Sequence, residues 1–257
     1  MKKVYRITII LLMIMICCSC NLKDKEFLPQ KHTIPVNPNL GTLNDDLGAD
    51  SFNSTLDHTD TPYYKINDYY NMKSDKNLHI LSHFKTYQQT TEYSCGCAAA
   101  LTVLNHYGIT DYDELKICDL AETTEENGTS IEGLIKFFNK INLTIDYHMD
   151  IKPKFTEIED AEKYIIDSID KGRPIMVHWV DWVGHWQTII GIDTCGTEDL
   201  YDDVLIMADP YDATDHYQDG YYVVPYARFF YMWREGPCTT RDIPYEQPFI
   251  TIYKNSK

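Results

Sequence analysis

The order of its periodic segments constrains the fold of this 257-residue chain more than any other sequence feature. Segments with helical spacing come first. Segments rich in β-branched and aromatic residues follow, over residues 173–180, 185–193, 203–209, 220–225 and 248–253. Residues of this kind favour a pleated, half-buried surface, and the short connection at 181–184 indicates a hairpin. Helices followed by antiparallel strands predict an α+β domain instead of an alternating parallel sheet.

Four helices are expected before the strands, over residues 95–107, 111–121, 129–142 and 155–172. The first has Ala98, Leu101, Leu104 and Tyr107 at helical spacing. The second is expected to begin with Asp111 as its N-cap, and the last with a capping box formed by Thr156 and Glu159.

The first twenty residues have the pattern of a secretory signal peptide. Three basic residues precede an apolar run over residues 7–18, which is too short to span a bilayer as a helix. We therefore expect a signal peptide over residues 1–19. Ser19 before Cys20 resembles a bacterial lipobox, which implies cleavage before Cys20, lipidation of its thiol and an extracytoplasmic, lipid-anchored protein. The alternative is an ordinary signal peptide with incidental cysteines.

Residues 20–77 have the composition of a flexible tether, since they are rich in Asn, Asp, Thr and Pro and show no sustained apolar period. The folded domain is then expected over residues 78–257. Loss of the first 19 residues removes three of the 23 basic residues and leaves 20 against 39 acidic ones, a net charge near −19. Nucleic acid is a poor partner for such a surface, and the charge is typical of a soluble surface protein.

The sequence YSCGCAAA places Cys95 at the expected first turn of a helix. A thiolate there is stabilised by unpaired backbone N–H groups and by the positive end of the helix dipole. A cysteine nucleophile also needs a base, and His185 opens a predicted strand at the rim of the sheet, where a helix N-terminus can meet it. His178, inside the preceding strand, is the competing base. Asp209 ends a neighbouring strand and is the candidate to orient the imidazole.

These residues resemble the papain-like cysteine peptidases, and most closely the stand-alone relatives of the bacteriocin-leader peptidases. The resemblance rests on Gln89 six residues before Cys95, on Cys-Gly followed by small residues, on Gly-His at His185 and on Asp-Pro at Asp209. It implies a nucleophile helix packed on a C-terminal antiparallel sheet. It also implies that Cys95 is the nucleophile, His185 the general base and then acid, and Asp209 the orienting acceptor. Gln89 and the backbone N–H of Cys95 would form the oxyanion hole.

The function expected from this resemblance is a cysteine-dependent amide hydrolase that acts on a peptide or protein substrate, as a monomer and without a cofactor. Two alternatives remain open: acyl transfer through the same thioester, and a catalytically idle binding module. Gln88 could replace Gln89 if the loop register shifts by one. The other thiols could be free or could form two disulfides; they belong to Cys97, Cys118, Cys195 and Cys238.

The acidic loop over residues 209–219 lacks the ligand spacing of an EF-hand, and we expect no metal there.

Overall fold

The computed structural model describes residues 28–37, 48–52, 65–141, 143–181, 183–213, 217–236 and 241–254. The described residues from Lys31 onward belong to one compact unit. Its helices are α1 (Cys95–His106), α2 (Glu114–Ala121), α3 (Ile131–Lys140), α4 (Ile158–Asp170) and α5 (Tyr226–Met232). Its strands are β1 (Leu78–Ile80), β2 (Thr144–Asp150), β3 (Ile175–Trp179), β4 (His185–Asp193), β5 (Val204–Ala208), β6 (Tyr221–Pro225) and β7 (Glu246–Tyr253).

The strands form one sheet in the order β2-β7-β3-β4-β5-β6, and every neighbouring pair is antiparallel. The short strand β1 pairs with the last residues of β4, beyond the end of β3. The predicted hairpin is present, with Trp179 opposite His185. The α+β prediction, with the Cys95 helix packed on an antiparallel sheet, is therefore confirmed.

Helices cover both faces of the sheet because side chains alternate along β3 and β4. On one face, the Trp186 indole donates to the carbonyl of Thr129, just before α3, at 2.8 Å. On the other, Trp179 packs edge-on against Phe229 of α5, with ring centroids 5.4 Å apart. Both tryptophans are buried, so the strands next to His185 are fixed from two sides.

The approach of α1 to its neighbours is close because its first turns contain only small residues. Ala98, Ala99 and Ala100 are fully buried. At Gly96, an added Cβ would lie 2.6 Å from the Cβ of Thr129, which is closer than two carbons can approach. A side chain at this position would force α1 away from the segment before α3 and would displace Cys95.

Two predicted helix starts are wrong. The second helix is capped by Asp113 and not by Asp111, because the Asp113 carboxylate accepts the backbone N–H of Lys116. The predicted capping box of Thr156 and Glu159 does not form; α4 begins after Glu157 with no side-chain cap. Both errors are shifts of two residues or fewer within acidic or hydroxylated stretches that offer several capping side chains.

Of the α-helices and strands described above, three were not predicted: β1, β2 and α5. β1 has three residues and α5 has seven, too few for a period to be recognised. β2 lies at the edge of the sheet, and its burial does not alternate strictly from residue to residue. Its position is decided by pairing with β7.

Parts of the segment predicted as a tether lie against the folded domain. The backbone N–H of Ile34 donates to the Thr86 carbonyl at 2.7 Å, and the ring of His32 stacks on Tyr70. The carbonyl of the fully buried Ala49 accepts a hydrogen bond from Gln218. The predicted signal peptide and Cys20 lie outside the described residues. Within the part of the chain described, no helix is both long and apolar enough to cross a bilayer.

A buried carboxylate fixes the loop that leads into α1. Glu114, the first residue of α2, is fully buried and accepts hydrogen bonds from the hydroxyls of Tyr87, Thr90 and Ser94 at 3.0, 2.7 and 2.5 Å. It also accepts the backbone N–H of Thr90 at 3.1 Å. Because the loop residues donate to a single point, the entry to the Cys95 helix has one conformation.

We expect Glu114→Ala to lower the free energy of unfolding by about 3 kcal/mol, because it leaves several buried donors without an acceptor. Urea denaturation measures this change. Asp119→Ala, at an exposed position of the same helix, is the control and should change stability by less than about 0.5 kcal/mol. Equal stability of the two variants would show that the Glu114 network does not hold the loop.

Candidate active site

Cys95 is the first residue of α1 and is only partly buried. Ser94 precedes it in the N-cap position, but no side chain caps the first turn. The Ser94 hydroxyl donates instead to Glu114. The N–H groups of the first turn therefore have no side-chain acceptor, and they favour negative charge close to the Cys95 sulfur.

His185 is held by Asp209 through a chain of buried polar groups. The Nε2 atom of His185 lies 2.7 Å from Oδ1 of Asp209. The same oxygen accepts the backbone N–H of Tyr211 at 2.8 Å, and the other accepts Nε2–H of Gln187 at 2.8 Å. Gln187 is itself fixed by the Trp179 indole, which donates to its Oε1 at 2.6 Å. The carboxylate is thus oriented from three directions.

The imidazole of His185 contacts Asp209 and lines one cavity together with Cys95, and its interaction with the Cys95 side chain contributes to its raised pKa. Nε2 faces Asp209, so Nδ1 is the ring nitrogen left for the sulfur. Burial by itself would lower the pKa of His185. The charge and hydrogen bond of Asp209, together with the interaction with Cys95, outweigh burial and raise this pKa well above 6.5.

The backbone conformation of the turn before His185 requires a glycine at position 184. Its φ of 120° lies in a region that residues with a Cβ rarely adopt, and the N–H of Gly184 closes the hairpin turn on the carbonyl of Asp181 at 3.1 Å. The turn brings His185 to the start of β4 at the rim of the sheet.

The two glutamines before Cys95 have different surroundings. Gln89 is buried and lines the cavity that contains Cys95 and His185; its Nε2 donates to the carbonyls of Thr91 and Glu92 at 2.6 and 3.2 Å. Gln88 points to the backbone beyond β5, where Nε2 donates to the carbonyl of Asp209 at 2.9 Å. Of the two glutamines, Gln89 is the one that lines the cavity with Cys95.

The competing base His178 is not arranged to serve Cys95, and neither is His106. His178 is buried, stacks on Trp186 and forms no hydrogen bond with any residue of the described chain. Burial, with smaller contributions from the charges of His185 and Arg241, lowers the pKa of His178 to about 3. His106 lies at the other end of α1, about 16 Å along the helix axis from Cys95.

Two cavities meet at Cys95. The smaller has a volume of about 170 Å³ and contains Gln89, His185 and Asp209 in its wall. The larger has a volume of about 290 Å³ and extends over Trp186 and His178. A substrate could therefore pass across the sulfur with one part in each cavity.

The remaining thiols of the described residues are free. Cys97 and Cys118 are buried side by side between α1 and α2, and their hydrogen bond, together with burial, raises the pKa of Cys118. Cys195 is exposed, and Cys238 lies outside the described residues.

Two carboxylates of the predicted acidic loop serve its backbone: Asp212 accepts the N–H of Gly220, and Asp219 accepts that of Tyr221. Among the residues that the structure describes, no group of three or more His, Cys, Asp or Glu side chains is arranged to hold a metal ion.

Sequence reasoning gave no role to four residues that support the site: Gln187, Trp179, Ser94 and Glu114. The strand pattern could have identified Gln187, because this residue lies on the same strand face as His185. Trp179 bonds to a residue 8 positions away, and Ser94 and Glu114 are 20 positions apart; no local pattern marks such pairs.

Comparison with known proteins gives a family. The sequence model of the Peptidase_C39-like family matches residues 81–235, which is more than half of the chain. No protein of curated function matches the sequence.

Several solved structures are similar to the chain. One is the peptidase domain of Streptococcus ComA, a bi-functional ABC transporter involved in quorum sensing. It has 18% identity and a TM-score of 0.43, with 66% of this chain and 97% of that chain covered. Another is a double glycine motif protease from an AMS/PCAT transporter in complex with a leader peptide, with 14% identity, a TM-score of 0.42 and coverage of 66% and 91%. A third is UfSP from C. elegans, with 12% identity, a TM-score of 0.41 and coverage of 72% and 35%.

We expect Asp209→Asn to lower the pH at which His185 titrates, because the substitution removes the negative charge that opposes the effect of burial. In the native protein the imidazolium loses its proton only as the pH rises through a pKa that lies above 6.5. Nitrogen-detected NMR titration of His185 measures the change.

Asp193→Asn, at the other end of β4, is the matched control and should leave the titration of His185 unaltered. An unchanged titration in the Asp209 variant would contradict the assigned cause of the raised pKa.

Proposed function

The chain belongs to the Peptidase_C39-like family and is a cysteine peptidase-like hydrolase, and on this premise we propose that Cys95, His185 and Asp209 form its catalytic triad. The observation that carries the proposal is the position of the His185 ring, which contacts Asp209 through Nε2 and lines the same cavity as the Cys95 thiol. The raised pKa of the imidazole favours its protonated form, and a positive charge beside a thiol stabilises the thiolate.

In the proposed acylation step, the Cys95 sulfur attacks the carbonyl carbon of a peptide bond and the carbonyl π electrons move to oxygen. The tetrahedral oxyanion then collapses, the C–N bond breaks, and the imidazolium of His185 gives its proton to the departing amine. The product is a thioester on Cys95. Water then attacks this thioester while neutral His185 takes its proton, and the acid product leaves as the Cys95 thiolate forms again.

We assign the oxyanion hole to the backbone N–H of Cys95 and the side-chain amide of Gln89. Both lie at the cavity that contains His185. In the present structure the Gln89 amide donates to the carbonyls of Thr91 and Glu92, and the bond to Glu92 is the longer at 3.2 Å. One N–H of Gln89 would turn from this weaker acceptor to the developing oxyanion.

An idle binding module is a weaker interpretation of the same arrangement. Such a module would gain nothing from the hydrogen bonds with which Gln187 and Tyr211 hold the buried carboxylate of Asp209 against His185. Ordering this network of hydrogen-bonded side chains costs conformational entropy. Such an ordered network is expected where the orientation of the imidazole matters for function.

The proposed location is the outer face of a bacterial membrane, with the protein held by a lipid on Cys20. The proposal rests on the basic and apolar pattern of residues 1–18 and on Ser19 before the cysteine. All the proposed catalytic residues come from one chain, so a stand-alone monomer would have a complete site. Peptides or proteins at the cell surface are the proposed substrates.

We expect Cys95→Ala to reduce hydrolysis of a peptide library by at least about 10³-fold and to abolish covalent labelling by a peptidyl acyloxymethyl ketone, because the substitution removes the attacking sulfur. Activity assays and intact-protein mass spectrometry measure the two effects. Cys195→Ala removes an exposed thiol and should retain both.

Labelling that persists in Cys95→Ala but not in Cys195→Ala would refute the assignment of the nucleophile. Product masses with and without an added amine separate hydrolysis from acyl transfer.

We expect Cys20→Ser to abolish incorporation of an alkyne-tagged fatty acid when the full chain is produced in bacteria, because the acyl chains are attached through this thiol. The protein should then leave the membrane fraction. Cys18→Ser, two residues earlier, is the control and should retain both the label and the membrane fraction. Incorporation that continues in Cys20→Ser would exclude the proposed anchor.

A further inference from the structure

The larger cavity beside Cys95 has an aromatic floor. Trp186 and His178 are 2% and 9% exposed, and their rings stack with centroids 5.1 Å apart. His178 has no hydrogen-bond partner in the described chain, although both residues line the cavity. An imidazole with this degree of burial and no partner leaves a polar ring edge for whatever enters.

The rim of the same cavity is acidic. Glu92, Glu125 and Glu126 are exposed, and their carboxylates form no ion pair or hydrogen bond with any residue that the structure describes. They gather at one opening, which leads to the Cys95 sulfur.

The cationic side chain in the wall does not offset this rim. The Arg241 guanidinium donates to both oxygens of Glu132 at 2.6 and 2.7 Å and lies 3.7 Å from Glu235. Two carboxylates therefore already balance its charge. The three carboxylates of the rim give the cavity a negative potential.

The direction of the leaving group decides which part of a substrate enters here. The amine departs toward His185, which protonates it, so the acyl part extends away from that ring. His185 lines the smaller cavity and does not line the larger one. The larger cavity is therefore on the acyl side.

We propose that the larger cavity is a subsite for a lysine or arginine side chain on the acyl side of the scissile bond. The inference rests on the proposed peptidase function. A basic side chain has a long apolar stem and a charged tip, so the stem packs on the His178–Trp186 pair while the cation reaches the rim of Glu92, Glu125 and Glu126. Since burial lowers the pKa of His178 to about 3, the ring is neutral above that pH and does not repel the cation.

The test uses tripeptidyl acyloxymethyl ketones that differ at one position, which carries lysine, norleucine or glutamate; each of the three positions is varied in turn. We expect the lysine reagent at one position to label Cys95 of the full chain roughly five- to tenfold faster than the norleucine reagent, with the glutamate reagent slowest. The advantage should shrink in 0.5 M NaCl, since salt screens exposed charges.

Glu125→Gln/Glu126→Gln should remove most of the preference for lysine, so that the lysine and norleucine reagents label Cys95 at similar rates. Glu159→Gln/Glu198→Gln is the matched control, because it removes two exposed acidic charges from a separate groove and should preserve the preference. His178→Ala, which removes half of the floor, should slow the lysine and norleucine reagents alike.

A binding measurement separates this inference from the proposed function. Fluorescence anisotropy of Cys95→Ala with peptides of the same three sequences reports the subsite without chemistry. Tighter binding of the lysine peptide without labelling of the native protein would retain the subsite and overturn the nucleophile. Equal labelling and equal binding of the three sequences would retain the nucleophile and overturn the subsite.

Discussion

The packing of α1 onto β4 is the constraint on which the rest of the site depends. Cys95 and His185 are 90 residues apart, and they meet because the helix that begins at one lies against the strand that begins at the other. The contact is close because Gly96 has no side chain to strike Thr129, whose carbonyl in turn accepts the Trp186 indole. A methyl group at position 96 would move the sulfur relative to the imidazole. The relative position of these two groups therefore depends on the packing of Gly96 against Thr129.

Burial acts on two neighbouring histidines with opposite results. It lowers the pKa of His178 because that ring has no carboxylate partner, whereas Asp209 reverses the effect at His185 and raises its pKa. The two residues lie seven positions apart on paired strands, on opposite faces of the hairpin. One imidazole can therefore hold a proton for catalysis while the other remains a neutral part of a cavity wall.

The sequence predicted the helices and strands well wherever their hydrophobic residues recurred with a helical or strand period over many positions. The Cys95 helix, the hairpin and the strand before Asp209 all appear where they were expected. Helix starts were predicted less accurately: Asp113, and not Asp111, caps α2. The support of the site was not predictable: Glu114 and Gln187 each join segments that come together only in the folded chain. Side-chain hydrogen bonds across such distances leave no periodic trace in a sequence.

By itself, the sequence determined the class of fold and supplied the candidate reactive groups, because hydrophobic periods and residue types are local properties. It placed a thiol at a helix start and an imidazole at a strand start. Only the tertiary structure decided that these groups line one cavity, that Gln89 and not Gln88 lines it with them, and that acidic side chains line the neighbouring cavity. The reason is physical: orientation, burial and local potential depend on which distant segments pack together, and packing is a property of the whole chain.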